Sequence, residues 1–308
     1  MILALTGGTG GAKLIEGLAA QLDADELTIV CNTADDTRVH GLYVSPDLDT
    51  IVYTMAGMID PGKGWGVRGD TFAALNQLGR LGGETWFKLG DRDLALHIRR
   101  TQLISEGMKL SQVTDQLRRA LGVKARILPM SDETVETHVN TPQGEISFQE
   151  FFVKEHWARE VTGVRFSRVE QSRPAPGVLD AIRGAEGVII CPSNPITSIG
   201  PILAVPGIRS ALAALDVPIV GVSPLIGTTA VSGPAHKLMI ACGYAPSSLG
   251  VARHYADILD RLFIAAEDQN LTSSIQDLSI GPVCTDIRMT TANDKRRLAA
   301  EVLASLKK

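Results

Sequence analysis

The ten residues LTGGTGGAKL, Leu5 to Leu14, follow an apolar run that starts at Ile2 and place four glycines in one tight turn. A strand that ends in such a turn and passes into a helix offers backbone N–H groups and a helix N-terminus to an anion. The order that follows is strand Ile2 to Leu5, helix Ala12 to Gln21 and strand Leu27 to Asn32, half of a nucleotide-binding unit. The turn is no P-loop, because the Gly-Lys-Ser/Thr ending is missing. Nor is it a full Gly-x-Gly-x-x-Gly, because Lys13 stands at the third glycine. With Thr6 and Thr9 beside the glycines it suits a phosphate-bearing ligand; the plainer reading is a tight turn with close helix packing.

Three later runs repeat the theme. EGVIICPSNP (Glu186 to Pro195), VPIVGVSPLIG (Val217 to Gly227) and RLFIAAED (Arg261 to Asp268) read as short β-branched strands buried on both faces, each ending in a polar or Pro/Gly loop. Helical patterns at Val178 to Gly184, Gly207 to Leu215 and Ser247 to Asp260 separate them. The alternation predicts an α/β fold: a Rossmann-like, doubly wound, mostly parallel sheet whose ligands lie at the carboxyl ends of the strands. From Thr50 to about Val123 strand signal fades, and helical periods run over Thr71 to Leu78, Arg92 to Ile104 and Ser111 to Leu121. The expected organisation is a Rossmann-like core of residues 1–55 and 125–308, with a mainly helical insertion at 56–124. Arg126 to Val153 reads as strand, turn and strand around TPQG, extending the insertion or the sheet edge. Residues 293–308 read as a closing amphipathic helix.

Composition narrows the partners. Hydrophobic residues make up 44% of the 308, enough for a large core, while a formal net charge of -4 without basic blocks argues against nucleic acid or an anionic membrane as partner. The four cysteines are scattered, no apolar run approaches the ~20 residues of a membrane span, and no secretory pattern opens the chain, so a cytoplasmic protein with reduced thiols is expected.

Four further clusters carry chemistry. NTADDTRVHGLYVSPDLDT, Asn32 to Thr50, crowds Asp35, Asp36, Asp47 and Asp49 into one loop, an arrangement that a hard cation such as Mg²⁺ would neutralise together with substrate phosphates. Asx-turns and a cap at Asp49 or Thr50 on a helix starting at Ile51 are the structural alternative. KLGDRD, Lys88 to Asp93, opens a helix; Asp91 suits its N-cap, and Arg92 either pairs locally or reaches a phosphate. CPSNPITSIGPI, Cys191 to Ile202, supplies Ser193, Asn194, Thr197 and Ser198 in a donor-rich, charge-poor turn suited to a diphosphate or a nucleobase. SPLIGTTAVSGPAHKLM, Ser223 to Met239, adds Ser232, Gly233 and Lys237. No His-Glu-x-x-His, Gly-x-Ser-x-Gly or zinc spacing is present. What remains is equipment for metal-assisted transfer of a phosphorus group from a nucleotide diphosphate.

In this order, GGTGGAKL, NTADD…HGLYVSPDLDTIVY, GWG…DTF, KLGDRDLALHI, ILPMSDETVETHV, ISFQEFFV, PSNPITSIGPIL and SGPAHKLM resemble the 2-phospho-L-lactate transferase family of coenzyme F-420 biosynthesis, from residue 1 to about residue 260. The resemblance implies transfer of a phosphorylated three-carbon acid, phospholactyl or phosphoenolpyruvyl, from a guanosine diphosphate donor to the ribityl hydroxyl of the deazaflavin FO, with release of GMP and with Mg²⁺ as the ion. IDPGKGWG and SDETVETHV resemble the bacterial phosphoenolpyruvate branch; phosphoglycerate is a third acid. It further implies Gly7, Gly8, Thr9, Gly10, Ser193, Asn194, Thr197 and Ser198 at the guanosine diphosphate. Asp35, Asp36, Asp47 and Asp49 would serve metal and ribityl positioning, and Asp91 and Arg92 would lie beside the transferring group. Trp65 either covers the FO ring or packs. A homodimer is compatible with this reading. One departure stands out: Ala34 replaces a glycine common in the family, at a cost of about 1 kcal/mol if the position needs a positive φ. Two rivals remain. One is a non-catalytic nucleotide-sugar-binding regulatory protein of the same superfamily. The other is a nicotinamide-dependent dehydrogenase, which Cys31 and Asn32 at the end of the second strand disfavour.

Overall fold

A computed structural model describes residues 1–307. Its central sheet has seven strands: β1 (Ile2–Thr6), β2 (Leu27–Cys31), β3 (Arg126–Pro129), β4 (Gly187–Ile190), β5 (Ile219–Val222), β6 (Arg261–Ala265) and β7 (Gly281–Thr285). They lie in the order β7-β6-β5-β4-β1-β2-β3, and every neighbouring pair is parallel. The order reverses between β1 and β4, which opens the ligand crevice of a doubly wound sheet at their carboxyl ends. Alternation along the strands sends Leu3, Leu5, Val188 and Ile190 to one buried cluster and Ala4, Ile29, Ile189 and Val220 to the other. Both faces are covered, which is why these strands read as continuous apolar runs.

Helix α1 (Thr9–Ala19) covers one face together with α2 (Pro46–Met55) and the C-terminal helix Ala292–Ser305. Three short helices, Val178–Arg183, Ile208–Ala213 and Ser248–His254, cover the other. Between α2 and β3 lie α3 (Ala73–Arg80), α4 (Asp91–Ser105) and α5 (Leu110–Ala120), close to the predicted helical periods. Tyr53, Val67, Leu96, Leu103, Val113 and Leu117 give this helical region a small core of its own. Among the described residues no helix is long and apolar enough to cross a membrane.

Several boundaries differ from expectation. α1 starts at Thr9 instead of Ala12, because Gly10 and Gly11 form its first turn. Asp47 and Asp49 are not in a loop: the helix opens at Pro46, with proline in the first turn and both acids where the dipole favours them. A hairpin of Thr37–Val39 and Leu42–Val44 turns through His40 and Gly41, both at positive φ, so His40 serves a turn. The TPQG hairpin belongs neither to the insertion nor to the main sheet. Glu136–Thr141 pairs antiparallel with both Gly144–Ser147 and Gly163–Ser167 in a separate sheet, leaving only β3 at the main edge.

Gly17 marks where α1 meets the C-terminal helix. A Cβ there would stand 2.2 Å from the Lys295 carbonyl oxygen and 3.0 Å from Ala299 Cβ. Gly17→Val is therefore expected to lower stability by about 1–3 kcal/mol, read as a lowered midpoint in urea denaturation. Glu16→Gln, which cuts only a surface contact to Lys295, is expected to change it by less than about 1 kcal/mol.

Candidate active site

The glycine turn is where the Cys191–Ile202 turn and the start of α2 close on the end of β1, and close approach explains its composition. A Cβ on Gly7 would lie 2.4 Å from Ser198 Cβ and 2.7 Å from Asp47 Oδ2; one on Gly8 would lie 2.8 Å from Asp47 Oδ1. At Gly10 it would meet the Pro192 carbonyl at 2.4 Å, and at Gly11 the hydroxyls of Thr6 and Ser193. The Gly7 N–H donates to Ser193 Oγ at 3.0 Å. Each glycine thus admits a neighbour from the Cys191–Ile202 turn, β1 or α2.

Asn32, at the carboxyl end of β2, organises the acidic side. Its Nδ2 donates to Asp35 Oδ2 (3.1 Å), to Asp47 Oδ2 (2.9 Å) and to the Thr197 carbonyl (3.3 Å), while its Oδ1 accepts from the Ala34 N–H at 2.9 Å. Ala34 is buried and lies outside the positive-φ region, so replacing glycine there carries no backbone strain. Burial, and then the charge of Asp47, push the Asp35 carboxyl well above the usual range. Burial also pushes Asp47 up to about 6, against hydrogen bonds from Asn32 and the Gly8 backbone. At Asp35 the hydroxyl of Thr137 and the amide of Asn32 act the other way and lower the pKa, while the hydroxyls of Thr33 and Thr197 are buried without partners.

The other two aspartates of this cluster are occupied. Asp36 accepts from Tyr43 Oη (2.8 Å) and Ser45 Oγ (2.6 Å), and burial pushes it up to about 8. Asp49 is gripped by Arg100 through both terminal guanidinium nitrogens, Nη1 and Nη2, the Nη1 contact measuring 3.1 Å. Among the described residues no three His, Cys, Asp or Glu side chains converge to hold a metal ion. The four acidic candidates therefore divide into a pair bridged by Asn32, Asp35 and Asp47, of which Asp47 lies against the glycine turn, and a pair held by hydroxyl or guanidinium donors, Asp36 and Asp49.

The KLGDRD cluster acts locally. Asp91 accepts from the Ala73 and Ala74 N–H groups at 2.9 Å and from the Thr71 hydroxyl, capping α3, and these hydrogen bonds lower its pKa. Asp70 returns the favour, accepting from the Arg92 and Asp93 N–H groups at 2.8 and 3.0 Å, where a Cβ at Gly90 would collide with it. The Arg92 guanidinium donates to the Arg68 carbonyl and makes no ion pair among the described residues. The side-chain hydrogen bonds of Asp91 and Arg92 join the α3 and α4 region and include none to Asp35 or Asp47. Trp65 is 39% exposed, with Lys63 Nζ 5.4 Å from its ring. Its turn passes over the glycine turn: a Cβ on Gly64 would lie 3.7 Å from Thr9.

In the fourth cluster Asn194 Oδ1 accepts from Ile196 N and Thr197 N, and Ile199 N donates to the Asn194 carbonyl, forming a π-turn over Pro195–Ile199. Such turns recur at functional sites. In the fifth, Lys237 donates to the carbonyls of Trp157, Ala158 and Arg159 instead of facing a phosphate. Ser232 Oγ alone reaches the glycine turn, 4.0 Å from a Cβ placed on Gly10. Sequence reasoning missed Asn32, Gly11, His97 and Arg100. A usable signal was Asp93, His97 and Arg100, polar residues at i, i+4 and i+7 on the buried face of α4.

The fold and this crevice define a doubly wound α/β protein with a glycine turn and a paired-carboxylate site at its switch point. Comparison with known proteins is more specific. The profile of the family described as 2-phospho-L-lactate transferase CofD matches residues 2–303, and the chain belongs to that family, a family of transferases. It is 44% identical to the 2-phospho-L-lactate transferase of Methanothermobacter thermautotrophicus, covering 99% of this chain and 98% of that one. It is 41% identical to the phosphoenolpyruvate transferase of Streptomyces griseus, covering 98% and 97%. A crystal structure of a UPF0052 family protein from Bacillus halodurans shares the fold, with a TM-score of 0.67 at 16% identity over 98% of each chain.

His254 lies behind the π-turn, edge-on to Tyr244 at 4.9 Å. Burial first, and then the Arg209 charge, push its pKa down to about 4. Because the folded state resists a proton that the unfolded chain takes up near pH 6.5, stability is present above that pH and is lost as pH falls toward 4, by at most about 1.4 kcal/mol per pH unit. His254→Gln is expected to flatten this acid limb in denaturation curves recorded from pH 7 to pH 4.5.

Proposed function

We propose that the chain transfers a phosphorylated three-carbon acid from a guanosine diphosphate donor to the ribityl hydroxyl of FO, releasing GMP, in the cytoplasm and with Mg²⁺. The observation that carries the reading is the Asp35 and Asp47 pair, bridged by Asn32 against the glycine turn. Two buried carboxylates sharing one amide repel each other, a penalty that a divalent cation relieves. Asp35 Oδ1, which no amide or charged donor holds, would give that cation a ligand atom. Mg²⁺ characteristically takes one or two carboxylates and completes its shell with water and substrate phosphate, so Asp35 and Asp47 fit it without Asp36 or Asp49. Bound there, the ion would neutralise the diphosphate and the charge growing on the leaving GMP.

The chain's own groups supply position. The N-terminal turn of α1, with Ser193, Thr197 and Ser198, cradles the diphosphate. Asn194 is committed through its oxygen to the π-turn, so its amide nitrogen is the atom left for the guanosine portion. The ribityl oxygen attacks the phosphorus nearer the acid, a new P–O bond forms, the bond to the GMP oxygen breaks, and the hydroxyl proton passes to solvent water. In a loose transition state no strong base is required, and a carboxylate at Asp35 orients the hydroxyl. Trp65 would cover the deazaflavin ring, a role supported by its exposure and by the nearness of its turn to Thr9.

Mass spectrometry of the purified protein with FO, Mg²⁺ and guanylylated lactate, enolpyruvate or glycerate is expected to give a phosphodiester and GMP with one of the donors. No product with any donor, from folded protein that still binds guanosine nucleotide, would replace the transfer reading with the regulatory one. Asp35→Asn and Asp47→Asn are each expected to lower kcat/KM by about 100-fold or more, an activation penalty of roughly 2.7 kcal/mol. Asp91→Asn, which weakens a helix cap, is instead expected to cost about 1 kcal/mol of stability, with kcat/KM falling by less than tenfold, on the order of 1 kcal/mol.

A further inference from the structure

We propose that Arg100 is a positioning residue of the transfer site: by gripping Asp49 it fixes the first turn of α2 and so holds Asp47 against the glycine turn. The inference rests on the assignment of Asp35 and Asp47 to the cation.

Arg100 and Asp49 are 3% and 5% exposed. The guanidinium meets both carboxylate oxygens, fork on fork, and its Nη1 also lies 3.5 Å from the Tyr43 carbonyl. Behind it, His97 Nδ1 lies 3.4 Å from Arg100 Nη1 and 3.7 Å from Asp49 Oδ2, and His97 Nε2 lies 3.0 Å from Asp93 Oδ1. That same Asp93 oxygen accepts from Tyr53 Oη at 2.6 Å. Asp49 and Tyr53 are one turn apart on α2, and Asp93, His97 and Arg100 share one face of α4. A ladder of buried polar groups thus joins the two helices where apolar side chains could have packed.

Against well-packed apolar residues a buried ion pair adds little net stability, so the ladder is better understood by what it orients. Asp49 Oδ2 accepts from the Ser45 N–H at 3.3 Å, and Ser45 Oγ donates to Asp36 Oδ1 at 2.6 Å. Arg100 therefore fixes one end of the segment Ser45-Pro46-Asp47, whose other end is the carboxylate lodged beside Gly7 and Gly8. It also keeps Asp49 from turning toward the cation pair. A lysine would keep the charge but would grip a single oxygen.

The test compares full-length wild type with Arg100→Lys and Arg100→Gln. Three readouts are Mn²⁺ affinity from the paramagnetic resonance of free Mn²⁺, amide exchange of residues 45–50, and kcat with the guanylylated donor. In Arg100→Lys, folded by circular dichroism and cooperative melting, Mn²⁺ affinity and kcat are each expected to fall by about 10-fold or more, the scale seen when groups orienting a metal ligand are lost. Exchange of residues 45–50 is expected to accelerate. His97→Gln, which removes only the support behind Arg100, is expected to move the same readouts in the same direction by less; it carries the test if Arg100→Gln does not fold. A folded Arg100→Lys within twofold of wild type in Mn²⁺ affinity and in exchange overturns the proposal. If wild type binds Mn²⁺ and the variants differ as expected but no donor turns over, the transfer reading fails and the role of Arg100 stands. A wild type that binds no Mn²⁺ overturns both.

Discussion

The approach of Asp47 and Ser198 to the glycine turn is the constraint on which the rest of the site depends. Their atoms come so near Gly7 and Gly8 that any side chain there would displace α2 or the π-turn. The glycines therefore supply the space that lets an acidic helix and a donor-rich turn close on one point, and their own N–H groups tie that junction, Gly7 to Ser193 and Gly8 to Asp47. Asn32 completes the junction by tying both carboxylates and the Thr197 carbonyl to the end of β2.

Electrostatics then sorts the aspartates. Four carboxylates lie close together in sequence, and burial raises the proton affinity of at least three of them. The fold relieves this in two ways. Asp36 receives two hydroxyl donors, and Asp49 receives a guanidinium. Asp35 and Asp47 receive mainly amide hydrogen bonds, which leave Asp35 Oδ1 without an amide or charged donor. The asymmetry is what the proposed cation at Asp35 and Asp47 would exploit.

The helical region supplies that sorting from outside the sheet. Parallel neighbours β2 and β3 need a crossover, and this one has grown to contain α2 through α5. The extra length does more than connect. It delivers Arg100 to Asp49, brings the turn bearing Trp65 over Thr9, and locks α3 to α4 through reciprocal capping by Asp91 and Asp70.

The central strands were legible because a strand buried on both faces must be a short apolar run, and the helices flanking them carry the matching period. β7 was not legible: it is an edge strand holding Pro282 and an exposed Cys284, so its sequence need not be apolar. The three-residue strands of the Thr37–Val44 hairpin are too short and polar to show a period. By itself the sequence determined the α/β class, the glycine turn and the set of residues from which a site could be built, since propensity and burial pattern act locally. Tertiary structure alone decided that Asp35 pairs with Asp47, that Asp49 belongs to Arg100 and that Asp91 caps α3 instead of the helix it opens, whose N-cap is Gly90. Those outcomes depend on contacts between residues that are 12 to 51 positions apart, where Coulomb forces and hydrogen-bond geometry act through space and leave no mark in local sequence.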